Sequence, residues 1–180
     1  MRRAIAVLGV PVSGKSTLVK PYLGRIIQIG EFAHSLQEDS SLKQKCIEHW
    51  RKNTLFSSEV LNEIIGLYPL EEKNWYIFDG TPRDIQSISV IERLFELTTL
   101  VEIDVRDDVW LERANNASNN GRKARYDSSI QQLLKRKEVY EQNMGQLRCY
   151  FQRRYKVDNS GDLDIAKKQF AQIIEQIFPN

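Results

Sequence analysis

Five short apolar runs punctuate the chain, separated by longer stretches whose apolar residues recur every three or four positions. The runs are Arg3-Ala4-Ile5-Ala6-Val7-Leu8, Arg25-Ile26-Ile27-Gln28-Ile29, Trp75-Tyr76-Ile77-Phe78, Thr99-Leu100-Val101-Glu102-Ile103 and Tyr155-Lys156-Val157-Asp158. Their length and β-branched content predict strands. Between the second and third runs the chain is more polar and helical in pattern from Gly30 to about Leu67. A cap at Asp39-Ser40-Ser41-Leu42 precedes Cys46, Ile47 and Trp50. After a break at 53–58, Ser57 or Ser58 caps a helix carrying Val60, Leu61, Ile64 and Ile65. These short helices form a small lobe between two strands. Further on, Ile88 to Leu97 reads as an amphipathic helix, and Asp107, Asp108 and Val109 open another. The stretch from Asn115 to Arg125 is poor in apolar residues and reads as a loop. Ile130, Leu133, Leu134, Lys137 and Tyr140 have helical spacing, continued by Leu147, Tyr150 and Phe151. A closing helix spans Leu163 to Phe178, with Ile165, Phe170, Ile173, Ile174 and Ile177 expected inward. Strands alternating with helices predict an α/β fold whose parallel sheet is covered on both faces. There is no internal repeat.

Length and composition fit one domain, 1–180: 41% of the 180 residues are hydrophobic and 28% charged. A net charge of +2 supplies no bulk field demanding nucleic acid. Cys46 and Cys149 lack metal-type spacing and read as free thiols in a reducing compartment. Met1-Arg2-Arg3 resembles the start of a signal peptide, but Gly9 and Pro11 interrupt the apolar run that follows. No stretch is long enough to span a membrane. The expected setting is therefore cytoplasmic, with neither membrane nor nucleic acid as partner.

Chemistry enters at Gly9-Val10-Pro11-Val12-Ser13-Gly14-Lys15-Ser16-Thr17. Gly9, Gly14, Lys15 and Ser16 satisfy the P-loop (Walker A) pattern, between a predicted strand and a predicted helix. Gly14 permits a turn that points successive N–H groups into one cavity. The helix start adds unpaired donors. Lys15 offers a full charge to outer phosphates and Ser16 a hydroxyl to Mg²⁺. Asp79, at the carboxyl end of the third apolar run, stands where a P-loop protein places the carboxylate that serves the metal. Phosphoryl transfer also needs cations around the transferred group. Arg83, Arg113, Arg125 and Arg136 are the candidates, because a guanidinium fork can hold two oxygens. Arg125 and Arg136 are eleven residues apart, about three turns if one helix carries both. Arg122 and Lys123 add charge nearby.

With these motifs in hand, the chain resembles the adenylate kinase family of nucleoside monophosphate kinases, and its short-lid type most, nearly end to end. Gly9 to Thr17 resembles the family P-loop. Asp79-Gly80-Thr81-Pro82-Arg83 resembles its Asp-Gly-Phe-Pro-Arg motif. Arg113 matches the Arg flanking the lid, Arg125-Tyr126-Asp127 the motif after it, and Arg136 with Tyr140 the Arg-Leu-x-x-Tyr pattern. The resemblance implies a P-loop three-layer sandwich with a five-stranded parallel sheet, a helical acceptor lobe (31–67) and a short lid (113–125). The lid lacks Cys, so no zinc is implied. It further implies transfer of the γ-phosphoryl of ATP, with Mg²⁺, to a nucleoside monophosphate by a monomer. Gly9, Pro11, Val12, Ser13, Gly14, Lys15, Ser16 and Thr17 would hold ATP, and Ser16 and Asp79 the metal. Lys15, Arg83, Arg113, Arg125 and Arg136 would act on the transferred group. Gly30, Glu31, His34, Asp79, Gly80, Arg83 and Gln86 would line the acceptor side.

The chain departs from the family pattern mostly on that side. Ile29 replaces a Thr and His34 an Arg in the stretch after the second strand. Ser87 occupies the position of a base-reading Gln, with Gln86 one earlier. Val12 replaces a loop glycine, and Asp127 is one acid where two are usual. Three readings follow: a monophosphate kinase with an altered acceptor site, a kinase of a non-nucleotide small molecule, or a catalytically weak nucleotide-binding protein.

Overall fold

A computed structural model of the chain describes residues 1–52, 54–119 and 129–179, apart from the side chain of Asn119. Its strands are β1 (Arg2–Leu8), β2 (Ile26–Ile27), β3 (Trp75–Asp79), β4 (Phe95–Asp104) and β5 (Arg153–Asp158). They form one all-parallel sheet in the order β2-β3-β1-β4-β5. The central strand β1 is flanked on both sides and covered on both faces. Ala4 to Leu8 are accordingly all buried, which is why that run is continuously apolar rather than alternating.

Alternation sorts the core into two layers. Ala4, Ala6, Leu8, Tyr76 and Phe78 face α2 (Ile29–Ser35), α3 (Ser41–Lys52), α4 (Ser58–Leu67), α5 (Ile85–Ile91) and the far half of α7 (Ile130–Tyr150). Ile5, Val7, Ile77, Val101 and Ile103 face α1 (Lys15–Val19) and α8 (Leu163–Ile177). A third cluster joins α6 (Asp107–Asn119) to the start of α7 through Trp110, Ala114 and Leu133. Below the sheet, Trp75 stacks on Phe178 at 4.4 Å, with Arg25 over Trp75 and Arg3 over Phe178.

Several expectations are corrected. The Ile88–Leu97 helix is two elements. α5 ends at Ile91, Glu92 caps it, and Phe95 and Leu97 open β4. The buried pair Phe95 and Leu97 flanks exposed Glu96, a period of two that happened to continue the helical spacing of Ile88 and Ile91. Asn115 to Asn119 continue α6 rather than forming a loop. Ser118 Oγ bonds to Ala114 O, and the helix is anchored one turn earlier by buried Trp110. The second strand is only Ile26–Ile27, because Ile29 already begins α2. Ile165 points outward at 67% exposure, and the buried stripe of α8 is Ala166, Phe170, Ile173, Ile174 and Ile177. Tyr150 leaves the α7 stripe to bond with Glu92 at the surface. Ser57, not Ser58, caps α4.

Candidate active site

The order of the sheet reverses direction between β1 and β3: the chain leaves β1 toward β2 and leaves β3 toward β4. Such a switch leaves a crevice beyond the carboxyl ends of the two strands. Gly9 to Gly14 follow β1 into it, and Gly80 to Arg83 follow β3. One cavity of about 680 Å³ fills this crevice and reaches the helices inserted between β2 and β3.

Local geometry explains the loop sequence. Gly14 has φ 89°, and a Cβ there would lie 2.3 Å from Asn159 Nδ2. A Cβ on Gly9 would lie 2.5 Å from Ile103 O, so the loop leaves β1 flush against β4. Val12 adopts φ 55°, a conformation unusual for a β-branched residue. Two side chains pin the loop from outside: Trp110 Nε1 donates to Pro11 O at 2.8 Å, and Asn159 Nδ2 donates to Ser13 O at 2.7 Å. The Lys15 ammonium lies over the loop, donating to Gly9 O at 2.8 Å, Val10 O at 3.1 Å and Ser13 Oγ at 3.4 Å.

Ser16 Oγ donates to Asp79 Oδ2 at 2.8 Å, and Gln28 Nε2 donates to the same oxygen at 2.8 Å. A hydroxyl and a carboxylate side by side at a P-loop fit Mg²⁺, which takes few protein oxygens and completes its shell with water and phosphate. Among the described residues no cluster of three or more His, Cys, Asp or Glu is placed to hold a metal.

Arg113, on α6, donates to Asn159 O at 2.7 Å and Ser13 O at 3.4 Å. Arg83 Nε donates to Gly80 O at 3.1 Å, which turns its guanidinium toward Gly30 at the start of α2. Arg136, half-buried on α7, lines the same cavity. α7 begins at Ile130 behind a capping box at Ser129 and carries Arg136. Arg125, with Arg122, Lys123, Tyr126 and Asp127, lies outside the described residues.

The cavity thus gathers Gly9, Pro11, Val12, Gly14, Lys15, Ser16 and Thr17 with Gly30, Glu31, His34, Asp79, Gly80, Arg83, Arg113 and Arg136. Ser13 is fully buried beneath the loop. Gln86 is exposed on α5, and the neighbouring Ser87 lines the cavity instead, with its hydroxyl donated to Asp84 Oδ1 at 2.5 Å. At the lobe end, His34 stacks on Trp50 at 4.0 Å with 7° between the rings, and Phe56 and Leu61 continue the apolar wall. Lys43 supports this end from below. It is buried, bonded to His34 O at 2.6 Å and paired with Glu38 at 3.3 Å. The Tyr140 hydroxyl, also on the cavity wall, has its pKa raised by burial and by the nearby Glu102 carboxylate, so it stays a neutral donor.

Gln28, Trp110 and Asn159 escaped the sequence reading. Only Gln28 carried a signal, a polar residue closing an apolar run, as Asp79 does.

Over 173 residues, 89% of this chain and 92% of the relative, the sequence is 25% identical to an adenylate kinase of Mycobacterium tuberculosis. Over 114 residues it is 29% identical to adenylate kinases of Rickettsia africae and Rickettsia conorii. The chain is thus similar to adenylate kinases over most of its length. That second match covers 59% of the chain and spans about half, 54%, of the rickettsial proteins. No protein-family model matches the chain. No helix among the described residues is long and apolar enough to cross a membrane.

Proposed function

We propose that the chain is a nucleoside monophosphate kinase that transfers the γ-phosphoryl of ATP to a monophosphate, at an acceptor site altered at Ile29, His34 and Ser87. The observation that carries this reading is that Lys15, the Ser16–Asp79 pair, Arg83, Arg113 and Arg136 open onto one cavity that continues into the α2–α4 lobe. The similarity to adenylate kinases supports it.

In this reading the loop amides and Lys15 cradle the ATP phosphates, and Arg83 grips the acceptor phosphate. An acceptor phosphate oxygen forms the new bond to the γ-phosphorus as the bond to the β–γ bridging oxygen breaks, and ADP leaves with that electron pair. Arg113, Arg125 and Arg136 balance the charge on the transferred group. Lys15 exchanges the Gly9 and Val10 carbonyls for phosphate oxygens. Mg²⁺ held at Ser16 and Asp79 would neutralise the β and γ oxygens. Residues 31–67 act as the acceptor lobe. Residues 113–125 act as a short lid that excludes water and so suppresses ATP hydrolysis. The protein acts as a cytoplasmic monomer.

A panel of monophosphates with ATP and Mg²⁺, read as product diphosphate, tests the reading: turnover with at least one is expected, and none with any rejects it. Arg83→Ala should raise the acceptor KM. Undiminished activity in that variant would move the reading to an acceptor without phosphate.

A further inference from the structure

Asn159 follows β5 and is 2% exposed. Its backbone N–H donates to Asp104 O at 2.9 Å, which fixes it to the end of β4. The next residue is pinned as well, since Ser160 N donates to Asp158 Oδ1 at 2.9 Å and Ser160 Oγ accepts from Arg106 N at 2.8 Å. From this rigid base the carboxamide reaches the P-loop. Nδ2 donates to Ser13 O at 2.7 Å, and the residue's own carbonyl accepts from Arg113 Nη2 at 2.7 Å. Among the described residues its Oδ1 is buried without a hydrogen-bond partner. A turn-forming Asn would normally bond its own loop. Here the amide donates to the P-loop carbonyl instead, and among the described residues its oxygen is left unmatched, a costly arrangement for a core residue.

The chemistry of the contact is directional. The Ser13–Gly14 peptide is planar and trans, so its C=O and N–H point in opposite directions. Holding Ser13 O toward Asn159 and Arg113 turns Gly14 N–H the other way, at a residue that lines the cavity. A Cβ on Gly14 would lie 2.3 Å from Nδ2, so the carboxamide leaves no room for a side chain there.

We propose that Asn159 is a positioning residue of the donor site: by clamping Ser13 O it aims the Gly14 amide at a nucleotide phosphate and seats Arg113 beside it. The proposal rests on the P-loop being the triphosphate site. It assigns β5 a part in phosphate binding that its sequence does not announce.

The test is ATP–Mg²⁺ binding by calorimetry with no acceptor present, on the wild-type chain, Asn159→Ala and Asn159→Asp. The Asp variant keeps the side-chain volume and loses the donor, so it serves where the Ala variant does not fold. Both should bind ATP about tenfold more weakly, as expected when one charge-assisted hydrogen bond is misdirected. In turnover assays the ATP KM should rise while the acceptor KM stays put. The Gly14 amide resonance should lose most of its nucleotide-dependent shift. A purely structural Asn159 would lower the melting temperature and leave ATP affinity unchanged, and that outcome overturns the proposal. ATP binding by the wild-type chain without turnover of any acceptor would sink the kinase reading and leave this one standing. Failure of the wild-type chain to bind ATP overturns both.

Discussion

Replacing Gly14 with Ala separates two costs that the loop geometry combines. The first is conformational. At φ 89°, ψ 11° an L side chain sits in the left-handed region, at about 1–2 kcal/mol. The second is steric. The new methyl would lie 2.3 Å from Asn159 Nδ2, so the carboxamide must swing away from Ser13 O. That strands a buried donor and leaves Ser13 O with only the longer bond from Arg113 at 3.4 Å, at roughly 1–3 kcal/mol. The substitution should therefore destabilise the fold by about 2–5 kcal/mol, which for a domain of this size lowers Tm by roughly 5–15 °C. Urea unfolding of Gly14→Ala, Asn159→Ala and the double variant forms a cycle that divides the two. In the Asn159→Ala background the clash is already gone, so Gly14→Ala should cost only the conformational share. The coupling energy should be about 1–3 kcal/mol. An equal penalty in both backgrounds would refute the claim that Gly14 and Asn159 share one space.

Other outcomes follow from the same geometry. Lys15→Met should fold normally and lose about a hundredfold or more in kcat, as when a charge-stabilising donor is removed, measured as diphosphate formation. Asp79→Asn should raise the Mg²⁺ concentration for half-maximal rate about 10- to 100-fold, because Asp79 supplies the charge of the Ser16 pair. The Ser160 hydroxyl and amide hold the Asp158 carboxyl below its ordinary value. The stability this gives is complete above the ordinary carboxylate range and disappears as pH falls through the lowered value, so Asp158→Asn should flatten the acid limb of a Tm profile below about pH 4. Cys149 is exposed and Cys46 buried, with burial pushing the Cys46 thiol up. A thiol reagent should therefore titrate one group in the native protein and two in denaturant.

The parts of the fold governed by local pattern were legible. β1 and β3 stand out because a strand buried in a parallel sheet must be apolar or β-branched, whereas the edge strand β5 showed only through Tyr155 and buried Val157, and Ser57 begins a helix because an orphan N–H needs an oxygen. That Lys15, Ser16 and Asp79 line one cavity was foreshadowed by the fixed Gly9–Gly14–Lys15–Ser16 spacing and by the place of Asp79 at the end of an apolar run. What escaped depends on distance along the chain. Asn159 and Ser13 are 146 residues apart, and nothing in either neighbourhood reports their hydrogen bond. The β4 boundary was missed because Ile88, Ile91 and Phe95 satisfy a 3.6-residue period up to the turn that separates them. The tail of α6 was missed because a solvent-facing helical turn needs no apolar residue when the preceding turn is anchored by Trp110.

The three tryptophans of the chain stand in three different parts of the molecule. Trp50 is stacked on His34 at the lobe end of the cavity, Trp110 is bonded to the P-loop at Pro11, and Trp75 lies against Phe178 on the opposite side of the sheet. Single-tryptophan versions would thus give separate optical reporters, one for the lobe end of the cavity, one for the Gly9–Thr17 loop and one as an internal reference. The order in which two ligands arrive could then be followed in a stopped-flow fluorimeter without attaching any dye.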